Sequence, residues 1–155
     1  MIKRLTIGNY RLTLTFARVA KVIGVNSQLE NGRHVLMWDF DDVELANVVE
    51  DLKRVQIKYF LSDIHILRTK EPNNYICYCF TSQDWRRAVE IVAQCHYVDW
   101  QFLRFGVYRG HFTLRVTPKN ERTPKAIYRL IGYDQPDCKP EELTSWVKYE
   151  TLSWR

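Results

Sequence analysis

Residues 34–60 read HVLMWDFDDVELANVVEDLKRVQIKYF, an apolar run followed by an amphipathic one. The run His34–Phe40 is short, apolar and followed by acids, which is typical of a buried central β-strand. After it, apolar residues recur at the spacing of one helical face and predict a helix over 43–60. The residues of that face are Leu45, Val48, Val49, Leu52, Val55 and Tyr59. Asp41 stands three residues before Glu44, a spacing that predicts a capping box at the start of the helix.

The next part of the chain repeats this order of strand and helix. Two strands are predicted at 63–68 and 75–80, with Pro72-Asn-Asn74 as the turn between them. Thr81 and Asp84 predict a second capping box, which opens a helix with one apolar face. That face contains Trp85, Ala88, Val89 and Val92. A last strand is predicted at 111–117, before Pro118.

The predicted order is therefore β-α-β-β-α-β, and the fold class is α+β with a ferredoxin-like, RRM-like core. Extra strands are expected before this core, because residues 11–16 alternate with a period of two. Residues 126–133 predict one more strand, and residues 141–151 predict a short closing helix. No linker or internal repeat divides the chain, so residues 1–155 are predicted to form a single domain.

The composition is that of a folded, basic protein of 155 residues, with 46% hydrophobic residues, 14% aromatic residues and a net charge of +5. A basic chain favours polyanionic partners such as nucleic acid or nucleotides. No apolar run approaches the roughly 20 residues that cross a bilayer, so no membrane partner is expected. The four cysteines form no CxxC pair and are interpreted as reduced packing residues, which predicts a cytoplasmic location.

Asp39 and Asp41 are the main candidates for chemistry. Residues two apart on a strand point to the same face, so these carboxylates are expected to lie side by side. A divalent cation relieves the repulsion between such acids, and oxygen ligands suit Mg²⁺ or Mn²⁺. Carboxylates that hold metal beside substrate phosphates carry phosphoryl and nucleotidyl transfer. The alternative is structural, with Asp41 capping the helix and Asp39 paired with a basic neighbour.

Asp99 is the third candidate acid, in Tyr97-Val-Asp-Trp100. It follows the second helix, where the chain returns toward the first strand, and it is predicted to supply a third metal ligand. Its alternative role is that of an acid in a turn.

A basic segment follows Asp99. Its cations are Arg104, Arg109, Arg115, Lys119, Arg122, Lys125 and Arg129. The predicted strand places His111 and Arg115 on one face, where they would hold phosphates. Trp100, Phe102, Phe105 and Tyr108 are interleaved with these cations, and such rings can stack on bases. The alternative is a solvated basic surface over core aromatic residues.

Between Val35 and Lys119 the chain resembles the archaeo-eukaryotic primase superfamily, the prim-pol fold. Its first motif, Asp-x-Asp, matches Asp39 and Asp41, and its hydrophobic-Asp motif matches Val98-Asp99. The resemblance implies that these three acids bind catalytic Mg²⁺ or Mn²⁺. It also implies that Arg115 and Lys119, in Leu114-Arg-Val-Thr-Pro-Lys119, contact nucleotide or template, and that the chain works with other replication proteins.

One departure from the family's pattern concerns its second motif, a small residue, any residue and then His. The equivalent stretch here, Asn73-Asn-Tyr-Ile76, contains no His. His65 and His111 lie nearby in the sequence but outside that motif. The departure leaves open a degenerate member that binds nucleic acid without synthesis.

The function predicted is thus metal-dependent nucleotidyl transfer of the primase or polymerase kind on a single-stranded DNA or RNA template. The predicted catalytic and metal-binding residues are Asp39, Asp41 and Asp99, and the predicted binding residues are Arg104, Arg109, His111, Arg115 and Lys119. The alternative is a non-catalytic single-stranded nucleic-acid-binding or protein-interaction domain with an RRM-like fold. The four histidines are isolated, which argues against a rolling-circle initiator, and no Walker loop or Gly-x-Ser-x-Gly elbow is present.

Overall fold

The computed structural model of this chain describes residues 2–16, 18–118 and 122–153. The described part confirms an α+β fold, in which strands pair only in antiparallel fashion. The strands are β1 (Ile2–Ile7), β2 (Tyr10–Thr15), β3 (Arg18–Asn26), β4 (His34–Phe40), β5 (Ile64–Lys70), β6 (Asn74–Gln83), β7 (Thr113–Arg115), β8 (Lys125–Leu130) and β9 (Trp146–Ser153). The helices are α1 (Leu45–Tyr59), α2 (Trp85–Ala93) and α3 (Trp100–Arg109).

The largest sheet has four strands in the order β4-β6-β5-β8, and it contributes most of the core. Strand β4 is apolar on both faces because both are covered, and Trp38 and Phe40 are fully buried. Helices α1 and α2 supply Val48, Leu52 and Ile91 to the same cluster. Of the stripe predicted for α1, Val48, Leu52 and Val55 are buried, as the helical spacing requires.

A second sheet has the order β7-β3-β9, and this arrangement departs from a complete ferredoxin-like core. Strands β4, β6 and β5 are neighbours in the expected way, but β7 pairs with β3. The outer edge of β4 is already occupied, since Val35 N donates to Ser27 O at 2.9 Å and Asp99 N donates to Asp39 O at 2.7 Å. The last strand of the predicted core therefore joins the second sheet.

Two elements differ from the sequence-based predictions. The helix predicted at 141–151 is wrong, because Pro140–Glu142 forms only a 3-10 turn and β9 follows, paired with β3. Conversely, helix α3 occupies a segment for which no helix is predicted. The strand expected at 111–117 is present but shorter, as β7. Gly110 ends α3 in the left-handed conformation, at a φ of 81°.

The predicted capping boxes are only partly correct. At the start of α1 the N-cap is Glu44, whose side chain makes no capping hydrogen bond, and Asp41 lies outside the helix. At the start of α2, Asp84 itself is the N-cap and accepts from Arg87 N at 3.0 Å. Thr81 instead donates its hydroxyl to Ser62 Oγ, because it still belongs to β6.

Strands β1 and β2 form a separate hairpin in register from Ile2↔Thr15 to Ile7↔Tyr10. All of its residues are exposed. One face carries Leu5, Ile7, Tyr10, Leu12 and Leu14, each more than half exposed. The hairpin thus adds no residue to the buried core.

All four cysteines are free and buried, in agreement with the packing role predicted for them. Within the described residues, no helix is both long enough and apolar enough to cross a membrane.

Candidate functional site

Asp39 lies near the end of β4, directly opposite Ile76 of β6. Cross-strand partners share a face, so its side chain lies on the same side of the sheet as that of Ile76. The carboxyl is partly buried. Burial, followed by the negative charges of Asp41 and Asp99, raises the pKa of Asp39 to about 7, although Arg115 acts in the opposite direction. Perturbation of this kind is characteristic of functional sites.

Asp41 lies beyond the end of β4 and is exposed. Its carboxylate accepts a hydrogen bond from Asn74 Nδ2 at the start of β6. The backbone of the same turn is anchored nearby, where Val43 N donates to Asn73 O at 3.0 Å. The other amide atom, Asn74 Oδ1, is buried without a hydrogen-bond partner. It is an oxygen of the type that hard divalent cations bind.

Asp99 is the N-cap of α3, and its carboxylate accepts from Phe102 N at 2.6 Å. Its backbone N–H donates to Asp39 O, which fixes the start of α3 against the end of β4. Asp99 therefore has a structural role close to the alternative predicted for it, as a helix cap rather than as an acid in a turn. The same contact also brings Asp99 close to Asp39.

We call Asp39, Asp41 and Asp99 the acid corner. The three are close enough for both Asp41 and Asp99 to raise the pKa of Asp39. Among the described residues, however, no group of three or more His, Cys, Asp or Glu side chains is arranged to hold a metal ion. The donor atoms are of the right chemical type for Mg²⁺ or Mn²⁺, and two of the carboxylates are held by hydrogen bonds to the protein.

Arg115 is the predicted binding residue that the structure brings to the acid corner. It ends β7, is partly buried, and donates from Nη1 to Thr117 O and Arg122 O, each at 3.3 Å. Burial lowers the pKa of Arg115, and so does the like charge of Arg122, whereas Tyr149 and Asp39 raise it. A partly desolvated guanidinium beside a second cation is a favourable position for an anion.

Arg115 also lines a cleft between the two sheets, with a volume of about 420 Å³. We call it the inter-sheet cleft. The four-stranded sheet contributes His65, Tyr78 and Phe80, and the opposite wall includes Arg115 and Trp146. The rings of Tyr78 and Phe80 are nearly parallel, with an angle of 9° and centroids 6.5 Å apart. The cleft therefore combines aromatic rings with a cation near the acid corner.

Of the remaining predicted binding residues, Arg109 lies close to this site, since the pKa of Tyr149 is raised by burial and lowered by both Arg115 and Arg109. Arg104 and Arg109 are exposed on α3, and Arg109 lies over the ring of Phe105, 5.5 Å from its centroid. Burial lowers the pKa of His34, and so does the nearby His111. His34 begins β4, and at about 3.3 Å per residue it lies roughly 16 Å along the strand from Asp39. Lys119 lies outside the described residues.

A second concave surface was not predicted as a unit from the sequence. It lies between the end of β5 and the start of β8, and its cations are Arg68, Lys70, Arg122 and Lys125. We call it the basic groove. Arg68 and Lys125 are paired across β5 and β8, so the sheet brings together residues far apart in the chain. No local sequence pattern contains this pairing.

Comparison with known proteins adds no relative to this description: no protein-family model, no curated protein and no solved structure matches the chain.

Proposed function

We propose that this protein carries out metal-dependent nucleotidyl transfer on nucleic acid, at the acid corner and the adjoining inter-sheet cleft. The observation that carries the proposal is that Asp41 and Asp99 lie close to the partly buried Asp39, with Arg115 close by. Carboxylates that share one corner of a sheet beside a cation suit a substrate made of phosphates and divalent metal. The resemblance to the prim-pol fold rests on the same residues.

In this proposal Asp39, Asp41 and Asp99 would hold Mg²⁺ or Mn²⁺, with the unpartnered Asn74 Oδ1 as a further oxygen ligand. When bound, the metal would stabilise the negative charge that develops on the transferred phosphate. Arg115 would hold and orient the phosphates from the cleft side, because a guanidinium donates two parallel hydrogen bonds to phosphate oxygens. The rings of Tyr78 and Phe80 would provide the face on which a base rests.

A second candidate is binding of single-stranded nucleic acid without catalysis. It is favoured by the hydrogen bonds that Asp41 and Asp99 already make, to Asn74 Nδ2 and Phe102 N. These bonds give two of the acids a structural role that needs no metal. The cleft and Arg115 serve both candidates, so only the acid corner separates them. A cytoplasmic location, predicted from the cysteines, belongs to either proposal.

Replacing Asp39 tests the catalytic proposal. The wild-type protein is expected to extend a primed single-stranded template with nucleoside triphosphates in Mg²⁺ or Mn²⁺. Asp39→Asn keeps the size of the side chain and removes its charge, and it should lower the rate at least about 100-fold, as expected for loss of a group that stabilises charge in the transition state. Incorporation of radiolabelled nucleotide, resolved by gel electrophoresis, measures this.

Asp42→Asn is the matched control. Asp42 is exposed, lies outside the acid corner and has a φ of 55°, a conformation that asparagine also tolerates. It should keep wild-type incorporation. If wild type incorporates no nucleotide with either metal, the catalytic proposal is rejected, and retained binding of single strands would then favour the second candidate.

A further inference from the structure

The basic groove is a concavity of about 450 Å³ at one end of the four-stranded sheet. Its lining consists of Arg68, Thr69, Lys70, Glu71, Arg122, Thr123, Lys125 and Ile127. These described residues include four cations and a single acid, Glu71. The charge excess is therefore concentrated in a concave surface, where it acts more strongly on an anion than it would on a convex one.

The cations of the groove are largely uncompensated. Arg68 donates from Nη1 to Glu71 Oε1 at 2.8 Å, but its Nε is buried and has no partner. Lys70, Arg122 and Lys125 are exposed, and in the described part of the chain their side chains form no ion pair. Four cations held together with a single acid repel one another, so a bound polyanion would stabilise this arrangement.

The groove adjoins the inter-sheet cleft through the segment 122–127. Pro124 and Ala126 line the cleft, whereas Thr123, Lys125 and Ile127 line the groove. At the start of this segment, Arg122 accepts a hydrogen bond through its carbonyl from Arg115 of the cleft. A chain of phosphates lying along the groove would therefore pass from Lys125 to Arg122 and reach Arg115.

The groove also adjoins the acid corner, through the turn between β5 and β6. Lys70 is paired with Asn74 across that turn, and Asn74 in turn donates to Asp41. The cations of the groove and the acids of the corner are thus separated by one tight turn. This is the arrangement needed for a strand that is bound on one side and acted upon on the other.

We infer that the basic groove binds the sugar-phosphate backbone of a single nucleic-acid strand and directs it toward the inter-sheet cleft. This inference rests on the proposed function, because it describes how the polymer used at the acid corner and the inter-sheet cleft would be bound. The groove would contact the phosphates, and the adjoining cleft is lined by the largely buried rings of Tyr78 and Phe80, against which a base entering the cleft would stack. This combination fits an unpaired strand better than a flat anionic membrane, which presents no bases.

The test compares two doubly substituted proteins in binding to a fluorescein-labelled oligothymidylate of about 20 nucleotides, longer than the site of a typical single-strand-binding domain. The groove variant is Lys70→Ala with Lys125→Ala. The matched control is Lys53→Ala with Arg86→Ala, which removes the same charge from exposed positions on α1 and α2. Fluorescence anisotropy is recorded in EDTA over a series of salt concentrations, so that binding is measured without metal or catalysis.

Each phosphate contact on a single strand contributes about 0.7 to the slope of log K against log salt, so the groove variant should lose about 1.4 from that slope and bind roughly 25-fold more weakly at 0.1 M salt. The control variant should retain the wild-type affinity and slope. Circular dichroism of each variant establishes that it is folded.

Equal losses in the two variants would overturn the inference, because they would show a general effect of charge. Absence of wild-type binding would overturn it too, as would tighter binding to vesicles of anionic lipid than to the oligonucleotide. The outcome is separable from that of the catalytic proposal. If the strand binds through the groove but no nucleotide is incorporated, only the catalytic proposal is rejected. If nucleotide is incorporated but binding does not depend on the groove, only the inference about the groove is rejected.

Discussion

At the residue scale, Asp39 combines a position in the core strand with an ionisable side chain. Its neighbours Trp38 and Phe40 are fully buried, so the backbone at Asp39 is held by the packing on the other face of β4. The backbone that carries its carboxyl is thereby held near Asp41 and Asp99. The energetic cost of its charge is therefore built into the fold, and it can be measured without any substrate.

The pH dependence of stability should report this cost in metal-free protein. Asp39 keeps its proton up to about pH 7 in the folded chain but releases it near pH 3.8 when unfolded. Between these values the folded chain binds more protons than the unfolded chain, so stability falls as pH rises. At about 1.4 kcal/mol per pKa unit, the rise from 3.8 to about 7 corresponds to a loss of at most about 4.5 kcal/mol by pH 8.

Asp39→Asn should abolish this contribution. Urea denaturation in EDTA is expected to give similar free energies of unfolding for the variant and wild type at pH 4, with the variant the more stable of the two at pH 8. A difference between the two proteins that does not change with pH would show that Asp39 ionises normally. Mg²⁺ at pH 8 should stabilise wild type more than the variant if the acid corner binds metal.

At the element scale, α3 determines where the acid corner lies, because its N-terminus is fastened to the end of β4. The sequence-based prediction missed this helix, although Asp99, Leu103 and Gly106 follow a cap-and-core spacing. Leu103 and Gly106 are buried, and Gly106 leaves the space occupied by the ring of Phe112. Of the aromatic residues for which the sequence predicts base stacking, Trp100, Phe105 and Tyr108 are exposed, and Phe102 packs against the core.

Substitutions at Asp99 should separate its capping role from a metal-binding role. Asp99→Ala removes the acceptor for Phe102 N and should lower the free energy of unfolding by about 1 kcal/mol. Asp99→Asn retains a capping oxygen and should have little effect on stability. Thermal denaturation measures both variants. If Asp99→Asn lowers nucleotide incorporation without loss of stability, Asp99 is a metal ligand. If incorporation is unchanged, Asp99 acts only as a helix cap.

The hairpin β1–β2 permits another prediction at this scale. Because none of its residues is buried, deleting residues 2–15 should change the free energy of unfolding by less than about 0.5 kcal/mol, the range typical of surface changes. Chemical denaturation of the shortened protein checks this. A much larger loss of stability would mean that the hairpin supports the rest of the fold. The alternation at 11–16 was enough to predict strand β2, but not its isolation from the core.

At the scale of the whole molecule, local sequence patterns predict the strands of the four-stranded sheet and the helices α1 and α2 that pack on it. Each of these elements has its own periodic pattern of apolar residues. Such patterns did not predict the partner of β7, because the occupation of the β4 edge by Ser27 and Asp99 depends on contacts distant in sequence. For the C-terminal segment the sequence-based prediction is a helix at 141–151, although Trp146–Ser153 alternates. This segment forms strand β9 because it pairs with β3.

In the candidate site, too, local patterns predict some residues, whereas others depend on contacts distant in the sequence. Short motifs predict Asp39, Asp41 and Asp99 as site residues, and Asp41 and Asp99 each lie close enough to Asp39 to raise its pKa, after the larger effect of burial. Asn74 was missed as a partner of Asp41 because the two are separated by 33 positions in the chain. Arg68 and Lys70 were missed because they join Lys125 only once β5 and β8 are paired. Charge counted along the sequence instead singles out the segment from Arg104 to Arg129, which contains Arg122 and Lys125 of the groove but neither Arg68 nor Lys70.

The two walls of the inter-sheet cleft belong to different sheets, with β5 and β6 on one side and β7 and β9 on the other. A molecule bound there would contact both sheets and would stabilise their packing against each other. Occupancy would then stabilise the native chain by mass action, and it would slow hydrogen exchange in both sheets at once.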